Sequence, residues 1–248
     1  GRRRQRQMCI RDSQLYKQNE REIAMSNKIN HYALVGGNIV DVVAGNLISG
    51  HSLIIKDGLI KEICKDQQLK DDIPHISVNA RYISPGLIDC HAHCFVGQFG
   101  DRGNVMPSEM TARAGQHLEG MLQRGFTTVR DAGGADSGHR SAVEKGLFPG
   151  PRLFVSGKIL SQTGGHGDHR AIADVCGCET VAGGMSVIAD GVDAVRKAVR
   201  ENVRQGVDQI KIMGGGGVAS PGDKLIHPQY SLDEIEAIVD EATRCGRY

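Results

Sequence analysis

Apolar and polar residues alternate in two different rhythms along this chain. From about Asn30 to Val78 the apolar runs are short and closely spaced. They comprise Tyr32-Ala-Leu-Val35, Asn38-Ile-Val-Asp-Val-Val43, Ser52-Leu-Ile-Ile-Lys56 and Leu59-Ile-Lys-Glu-Ile63. Turn residues separate them, with Ala44-Gly-Asn46 after the second run and Asp57-Gly58 at a hairpin position before the last. The pattern predicts a small β-sheet module that is too small to hold together alone.

From Ile83 the rhythm becomes strand, loop, helix, repeated. A first strand over Gly86–Asp89 precedes a helix from about Ser108 to Gln123, with Ala114, Leu118, Met121 and Leu122 on one face and Gly125 as its stop. A second strand, Thr127–Asp131, leads to a short helix around Ser141 to Gly146. A third strand, Arg152–Ser156, is followed by a long loop to about Asp190. The next helix, Val192 to Gln205, carries Val192, Val195, Val199 and Val203 at helical spacing, with Asp190 as the expected N-cap. A fourth strand over Asp208–Met213 runs into a loop of four glycines. The last helix opens on Ser231-Leu-Asp-Glu234, which has capping-box spacing, and should turn Leu232, Ile235, Ile238, Val239 and Ala242 inward. Four successive strand–helix units imply an α/β protein with a parallel sheet, either doubly wound or part of an eight-fold barrel.

Composition fits buried parallel strands: Trp is absent, aromatics are scarce and 33 residues are glycine. No apolar run is long enough to span a membrane and no signal-peptide core stands near the start, so the reading is a soluble protein with no membrane partner. Seven cysteines without scaffold spacing read as reduced thiols in a cytoplasmic setting. Cys176-Gly-Cys178 is spaced too tightly for the usual zinc pair. Charge is uneven along the chain. Residues 1–24 carry seven Lys or Arg against three Asp or Glu, and the remainder carries 23 against 26, so no nucleic-acid surface is expected of the folded part. Within the basic leader, Gln7-Met-Cys-Ile-Arg-Asp-Ser13 resembles the translation of a transposase adapter used in sequencing libraries. Residues 1–24 are therefore set aside as non-native, with a natural start at Met25.

The chemistry gathers where the strands end. His91 and His93 leave the first strand two residues apart, and alternation puts both imidazoles on one face, where they can meet one ion. Lys211 lies in the otherwise apolar stretch Ile210-Lys-Ile-Met213, where an unpaired ammonium is costly unless it snorkels or is neutralised. Tyr230, ahead of the last helix, could donate its hydroxyl to a developing oxyanion, or simply pack. His166, in the loop after the third strand, could contact substrate or make a loop hydrogen bond. Asp131 ends the second strand and is equally readable as structural or as an orienting partner to a ligand. His169 and His227 read as exposed loop residues. Gly214-Gly-Gly-Gly217 lacks the Gly-Lys-Ser/Thr ending of a phosphate-binding loop, so no nucleotide is expected.

Taken together, Tyr82-Ile-Ser-Pro-Gly-Leu-Ile-Asp-Cys-His-Ala-His93 resembles the first-strand signature of the amidohydrolase superfamily. Thr127-Thr-Val-Arg-Asp-Ala-Gly-Gly134 resembles its second strand, and Ile210-Lys-Ile-Met-Gly-Gly-Gly-Gly217 the strand that carries a carboxylated lysine. The module before them, with Ile39-Val-Asp41 and Leu53-Ile-Ile-Lys-Asp-Gly-Leu-Ile60, is similar to the small β-sandwich that precedes the barrel in these enzymes. Thr163-Gly-Gly-His-Gly-Asp168 looks most like the branch of imidazolonepropionase and of Xaa-Pro or Xaa-Arg/Lys dipeptidases.

The resemblance implies a β-sandwich module over 25–82 and the first four βα units of a TIM-like (β/α)8 barrel over 83–248. It implies two divalent metal ions, zinc by family habit, with His91 and His93 on the first and Lys211, carboxylated by CO2, bridging both together with a hydroxide. Tyr230 and His166 are the candidate catalytic residues. The expected chemistry is hydrolysis of C–N amide bonds in small peptides or small molecules, with a cyclic amide as the alternative substrate. The full-length parent is free to be a homo-oligomer. The family also takes ligands from strands 5, 6 and 8, none of which can be assigned before Tyr248. The chain by itself is therefore expected to be an inactive fragment. A non-catalytic truncated product and, more weakly, a Rossmann-like binder are the competing classes.

Overall fold

The computed structural model describes residues 30–95, 105–170, 173, 185–218 and 223–248. The expectations for the basic leader and for Cys176 and Cys178 fall outside the described residues. The chain divides into two compact units after Pro85.

The first unit holds two small sheets. Strands β1 (His31–Val35), β4 (His51–Lys56), β5 (Leu59–Lys65) and β6 (His75–Ser77) form one sheet in the order β5-β4-β1-β6. Strands β2 (Asn38–Asp41), β3 (Asn46–Ile48) and β7 (Tyr82–Ile83) form the other, in the order β3-β2-β7. Asp57 and Gly58 take φ of 51° and 74°, so the hairpin between β4 and β5 turns with both central residues left-handed, as its twist demands. Ala33, Ile54, Cys64 and Ile73 form the buried core of this unit. The run from Asn38 does not continue to Val43. The Asp41 carboxylate accepts the Val43 and Ala44 backbone N–H groups at 3.0 and 2.9 Å, which turns the chain and leaves both valines exposed.

In the second unit β8 (Leu87–Ala92), β9 (Phe126–Asp131) and β10 (Arg152–Phe154) form a parallel sheet in the order β10-β9-β8, as the repeated strand–helix pattern predicts. Helix α1 (Pro107–Gln123) starts on a proline, whose missing N–H costs nothing there, and lays Leu118 on the sheet against Val129, Leu153 and Val155, with Ala114 also buried. Burial of Leu118 contributes roughly 1.5–3 kcal/mol. Helix α2 (Ser137–Glu144) begins four residues earlier than the apolar pattern suggests. The Asp136 carboxylate accepts the Gly138 and His139 N–H groups at 2.9 and 3.1 Å and so sets the start.

The long loop expected after β10 contains two further strands, β11 (Ile159–Ser161) and β12 (Ser186–Ile188), which pair in parallel. The fourth expected strand, Asp208–Met213, is reduced to a bridge between Ile212 and Leu160, with Leu160 N–H donating to the Lys211 carbonyl and Met213 N–H to the Leu160 carbonyl.

Helices α3 (Val192–Arg204) and α4 (Leu232–Arg244) pack on each other and on Leu160 through Val195, Val199, Ala237, Ile238 and Ala242. Two expectations for them are corrected. Gly191, not Asp190, caps α3, because the Asp190 carboxylate is taken by the Thr163 N–H and hydroxyl at 2.9 and 2.6 Å. On α4, Leu232 and Val239 are exposed. The face turned to α3 centres on Glu241, whose carboxylate takes two bonds from Arg200, at 2.7 and 2.9 Å, and one from Arg196 at 3.1 Å. The Ser231–Glu234 capping box is present.

Among the described residues, no helix is long and apolar enough to cross a membrane, and Cys64, Cys90, Cys94 and Cys245 are free thiols.

Candidate metal centre

Strand β8 ends at Ala92, so His91 is its next-to-last residue and His93 the first beyond it. The register to β9 shifts between Asp89 and Ala92, and Arg130 of β9 closes the irregularity by donating to the Cys90 carbonyl at 2.8 Å. Both histidines are exposed and lie edge to face, with ring centroids 5.3 Å apart. The His93 Nδ1 is within hydrogen-bond range of the Gly133 carbonyl, at 3.0 Å. A carbonyl can only accept, so in the neutral ring Nδ1 carries the proton and Nε2 keeps its lone pair, the arrangement that ligand histidines adopt. Gly133 has φ of 145°, and a Cβ there would overlap the Ile159 side chain.

Lys211 is partly buried. Desolvation and then the Arg130 guanidinium hold its ammonium below the usual lysine range. His91 is lowered too, by partial desolvation first and then by the positive charge of Lys211, with His93 and Arg130 adding smaller amounts. His91 thus lies within electrostatic reach of Lys211, His93 and Arg130, and Lys211 within reach of Arg130. Arg130 sits in the second-strand run and carried no sequence signal as a neighbour of the lysine, because that proximity depends on how the strands are arranged.

Asp131 is fully buried, and its carboxylate is held by backbone N–H groups. One oxygen accepts the Cys94 N–H at 2.5 Å, and the other accepts the Gly133 and Ala135 N–H groups at 2.9 and 3.1 Å. Burial pushes its carboxyl up, against the pull of these three bonds. Its own carbonyl accepts from the Gln209 side chain at 2.9 Å.

The remaining candidates lie on two loops. The His166 N–H donates to Gln229 Oε1 at 3.0 Å, and its Nδ1 is 4.0 Å from the Asp223 carboxylate. The His166 ring lies so close to Gly217 that a Cβ there would overlap it. Gln229 Nε2 donates to Asp223 at 2.8 Å, and the same carboxylate accepts the Gly217 N–H at 2.9 Å. Gln229 and Asp223 were not legible as site residues, since nothing in their spacing marks a buried amide and acid that share one partner.

Tyr230 takes φ of 59°, with its N–H donating to Gln162 Oε1 at 2.5 Å. Its ring is buried in the cluster of Leu160, Val195 and Ile238. The hydroxyl has no hydrogen-bond partner among the described residues, and burial, with Asp190 and Glu234 nearby, pushes the phenol up. His169 and His227 are exposed, as expected.

Among the described residues no group of three or more His, Cys, Asp or Glu is placed to hold a metal ion. The donor set here is two imidazoles and a lysine. It fits a cation through the His93 Nε2 lone pair, the lowered His91 and the partly desolvated amine, and it needs further ligands to be complete.

Comparison with known proteins identifies the family. Residues 82–248 match the model of the Amidohydrolase family, and residues 30–83 match the NagA composite domain. Ochratoxinase of Aspergillus niger is 32% identical over 231 residues, covering 83% of this chain and 48% of the relative. A solved prolidase in complex with N-methylphosphonate-L-proline is 44% identical with a TM-score of 0.82, covering 88% of this chain and 55% of that one. A Xaa-Pro dipeptidase with methionine bound in its active site is 28% identical with a TM-score of 0.77, again over 88% of this chain and 55% of that one. The chain spans about half the length of these relatives.

Proposed function

This chain belongs to the amidohydrolase family, with the TIM-barrel-like α/β fold and N-terminal module of its relatives, and from that premise we propose that its parent protein hydrolyses C–N amide bonds of small peptides at a two-metal site. The observation that carries this reading is the placing of His91 beside His93 and within reach of the Lys211 charge, with the His93 ring already held through Nδ1. Similarity to a prolidase and to a Xaa-Pro dipeptidase favours a peptide substrate over the cyclic amide of the imidazolonepropionase branch.

In this reading His91, His93 and Lys211 would hold the divalent cations, zinc by family habit. Bound cations would polarise the scissile carbonyl and acidify the attacking water. The residues of the chain prepare for them. A lowered lysine pKa raises the fraction of free amine, the form that adds to CO2. The nitrogen–carbon bond forms, one proton leaves to solvent, and an anionic carbamate replaces a cation beside Arg130. Tyr230 keeps its proton and could donate it in a hydrogen bond to the carbonyl oxygen as charge develops there. His166 would meet the substrate from the adjoining loop.

The chain spans about half the length of its relatives, and further ligands are expected from strands 5, 6 and 8. By itself the chain should therefore retain zinc weakly and turn over little. The test is metal analysis after dialysis, combined with a dipeptide hydrolysis assay on the full-length parent. His91→Ala and Lys211→Ala should abolish turnover there, and either variant keeping wild-type rates would sink the assignment.

A further inference from the structure

We propose that Asp131 is a positioning residue for the metal pair, fixing His93 as the Nδ1–H tautomer by holding both the backbone that follows His93 and the turn that receives its ring. The inference rests on the metal reading only for its consequence, since the geometry stands without a cation. Cys94 N–H, one residue past His93, donates to one oxygen of the Asp131 carboxylate at 2.5 Å. Gly133 N–H and Ala135 N–H donate to the other at 2.9 and 3.1 Å. The Gly133 carbonyl is the group that accepts from His93 Nδ1 at 3.0 Å. Two segments about 40 residues apart, one bearing the imidazole and one bearing its acceptor, are thus pinned to the two oxygens of one fully buried carboxylate.

The same residue reaches a third segment. Its main-chain carbonyl accepts from Gln209 at 2.9 Å, two positions before Lys211. A carboxylate commonly orients a ligand histidine by direct contact. Here it acts one step removed, through the backbone. An acceptor-only group is required, because all three partners are N–H donors and a buried donor left unpaired costs about 1–3 kcal/mol. Asparagine has the same shape but turns one oxygen into an N–H2. It can keep Gly133 and Ala135, or Cys94, but not all three.

The test is made on the metal-free chain with 15N-labelled histidine, at alkaline pH where imidazole is neutral. Long-range 1H–15N spectra distinguish the two tautomers of His93. The expected result is Nδ1–H in the wild type and loss of that dominance in Asp131→Asn, with far-UV circular dichroism unchanged. An Asp131→Asn chain that keeps the wild-type tautomer overturns the proposal. If that variant does not fold, the wild type decides alone, because protonation of His93 at Nε2 refutes the inference and Nδ1–H upholds it. Zinc affinity, read by competition with a chromophoric chelator, should fall about 10- to 100-fold in the variant. A wild-type chain showing the Nδ1–H tautomer, with a full-length parent in which His91→Ala keeps wild-type turnover, would fail the metal reading while leaving the role of Asp131 in place.

Discussion

Substituting Gly133 with alanine is the sharpest way to test the turn behind His93. Two separate costs can be worked from the structure. The first is conformational: φ of 145° is a backbone setting that L side chains rarely adopt, worth about 1–3 kcal/mol. The second is steric, since the new Cβ would overlap Cδ1 and Cγ1 of Ile159, which is buried and cannot swing into solvent. Overpacking of this kind costs roughly 1–3 kcal/mol. Together they give a loss of about 2–6 kcal/mol, a large part of the 5–15 kcal/mol that holds a typical protein folded. For a protein of this size the melting temperature should fall by several degrees at least.

Ile159→Ala removes the steric partner and separates the two costs. It is destabilising alone, by about 2–5 kcal/mol. In the double variant, however, the total should fall short of the sum by about 1–3 kcal/mol, while the backbone cost remains. Urea melts of the four chains measure this cycle. Gly133→Ala melting with the wild type, or strict additivity with Ile159→Ala, would refute the close approach of Gly133 to Ile159 from which the estimate is built.

Further outcomes follow from the same geometry. In this chain His91→Ala, His93→Ala and Lys211→Ala should each lower zinc affinity, whereas His227→Ala, an exposed loop change, should not; equilibrium dialysis with metal analysis reads the difference. The pKa of His91 is lowered in the folded chain, so above the ordinary imidazole value of about 6.5 it is neutral in both states and stability is unaffected. Below that value the unfolded chain takes up a proton that the folded chain resists, so this group's contribution falls as pH drops, and the His91→Ala chain should lose less. Asp168, pulled down to about 2 chiefly by Arg170, adds stability that persists at neutral pH and is lost as pH falls through the ordinary carboxylate range toward 2. Acid titrations followed by circular dichroism should show Asp168→Asn blunting this last phase. Within the glycine loop, Gly217→Ala should shift the His166 resonances because its Cβ would overlap the imidazole, whereas Gly214→Ala, with nothing described within 4 Å of its Cβ, should leave them in place.

How much of this could be read in advance varied by residue. The parallel sheet and the Ser231–Glu234 capping box follow from periodicities and spacings that the sequence displays directly. Strands β11 and β12 are three residues each, too short to establish alternation, so they read as loop. Helix α2 starts early because a cap is a single side-chain event, and Asp136 could not be distinguished from any other loop acid. The inward face of α4 was misassigned because apolar spacing ignores ion pairs. Arg196 and Arg200 draw Glu241 into the contact and rotate Leu232 and Val239 outward. Asp131 was visible as a strand-end acid, but its direction was not. The three N–H groups it satisfies belong to turns whose need for acceptors emerges only once the chain has folded.

Gln229 has a consequence for how such a protein can vary. Its amide oxygen holds the backbone of His166 and its amide nitrogen holds Asp223, which in turn holds Gly217. The loop after β11 and the loop ahead of α4 are therefore spliced at one side chain, although they lie some 60 residues apart. An insertion or deletion in either would carry the amide away from one of its two partners and leave a buried donor or acceptor unmet. Changes of length in the two loops should thus be tolerated in pairs. Anyone reshaping this region would do better to exchange both loops as a matched set than to graft one.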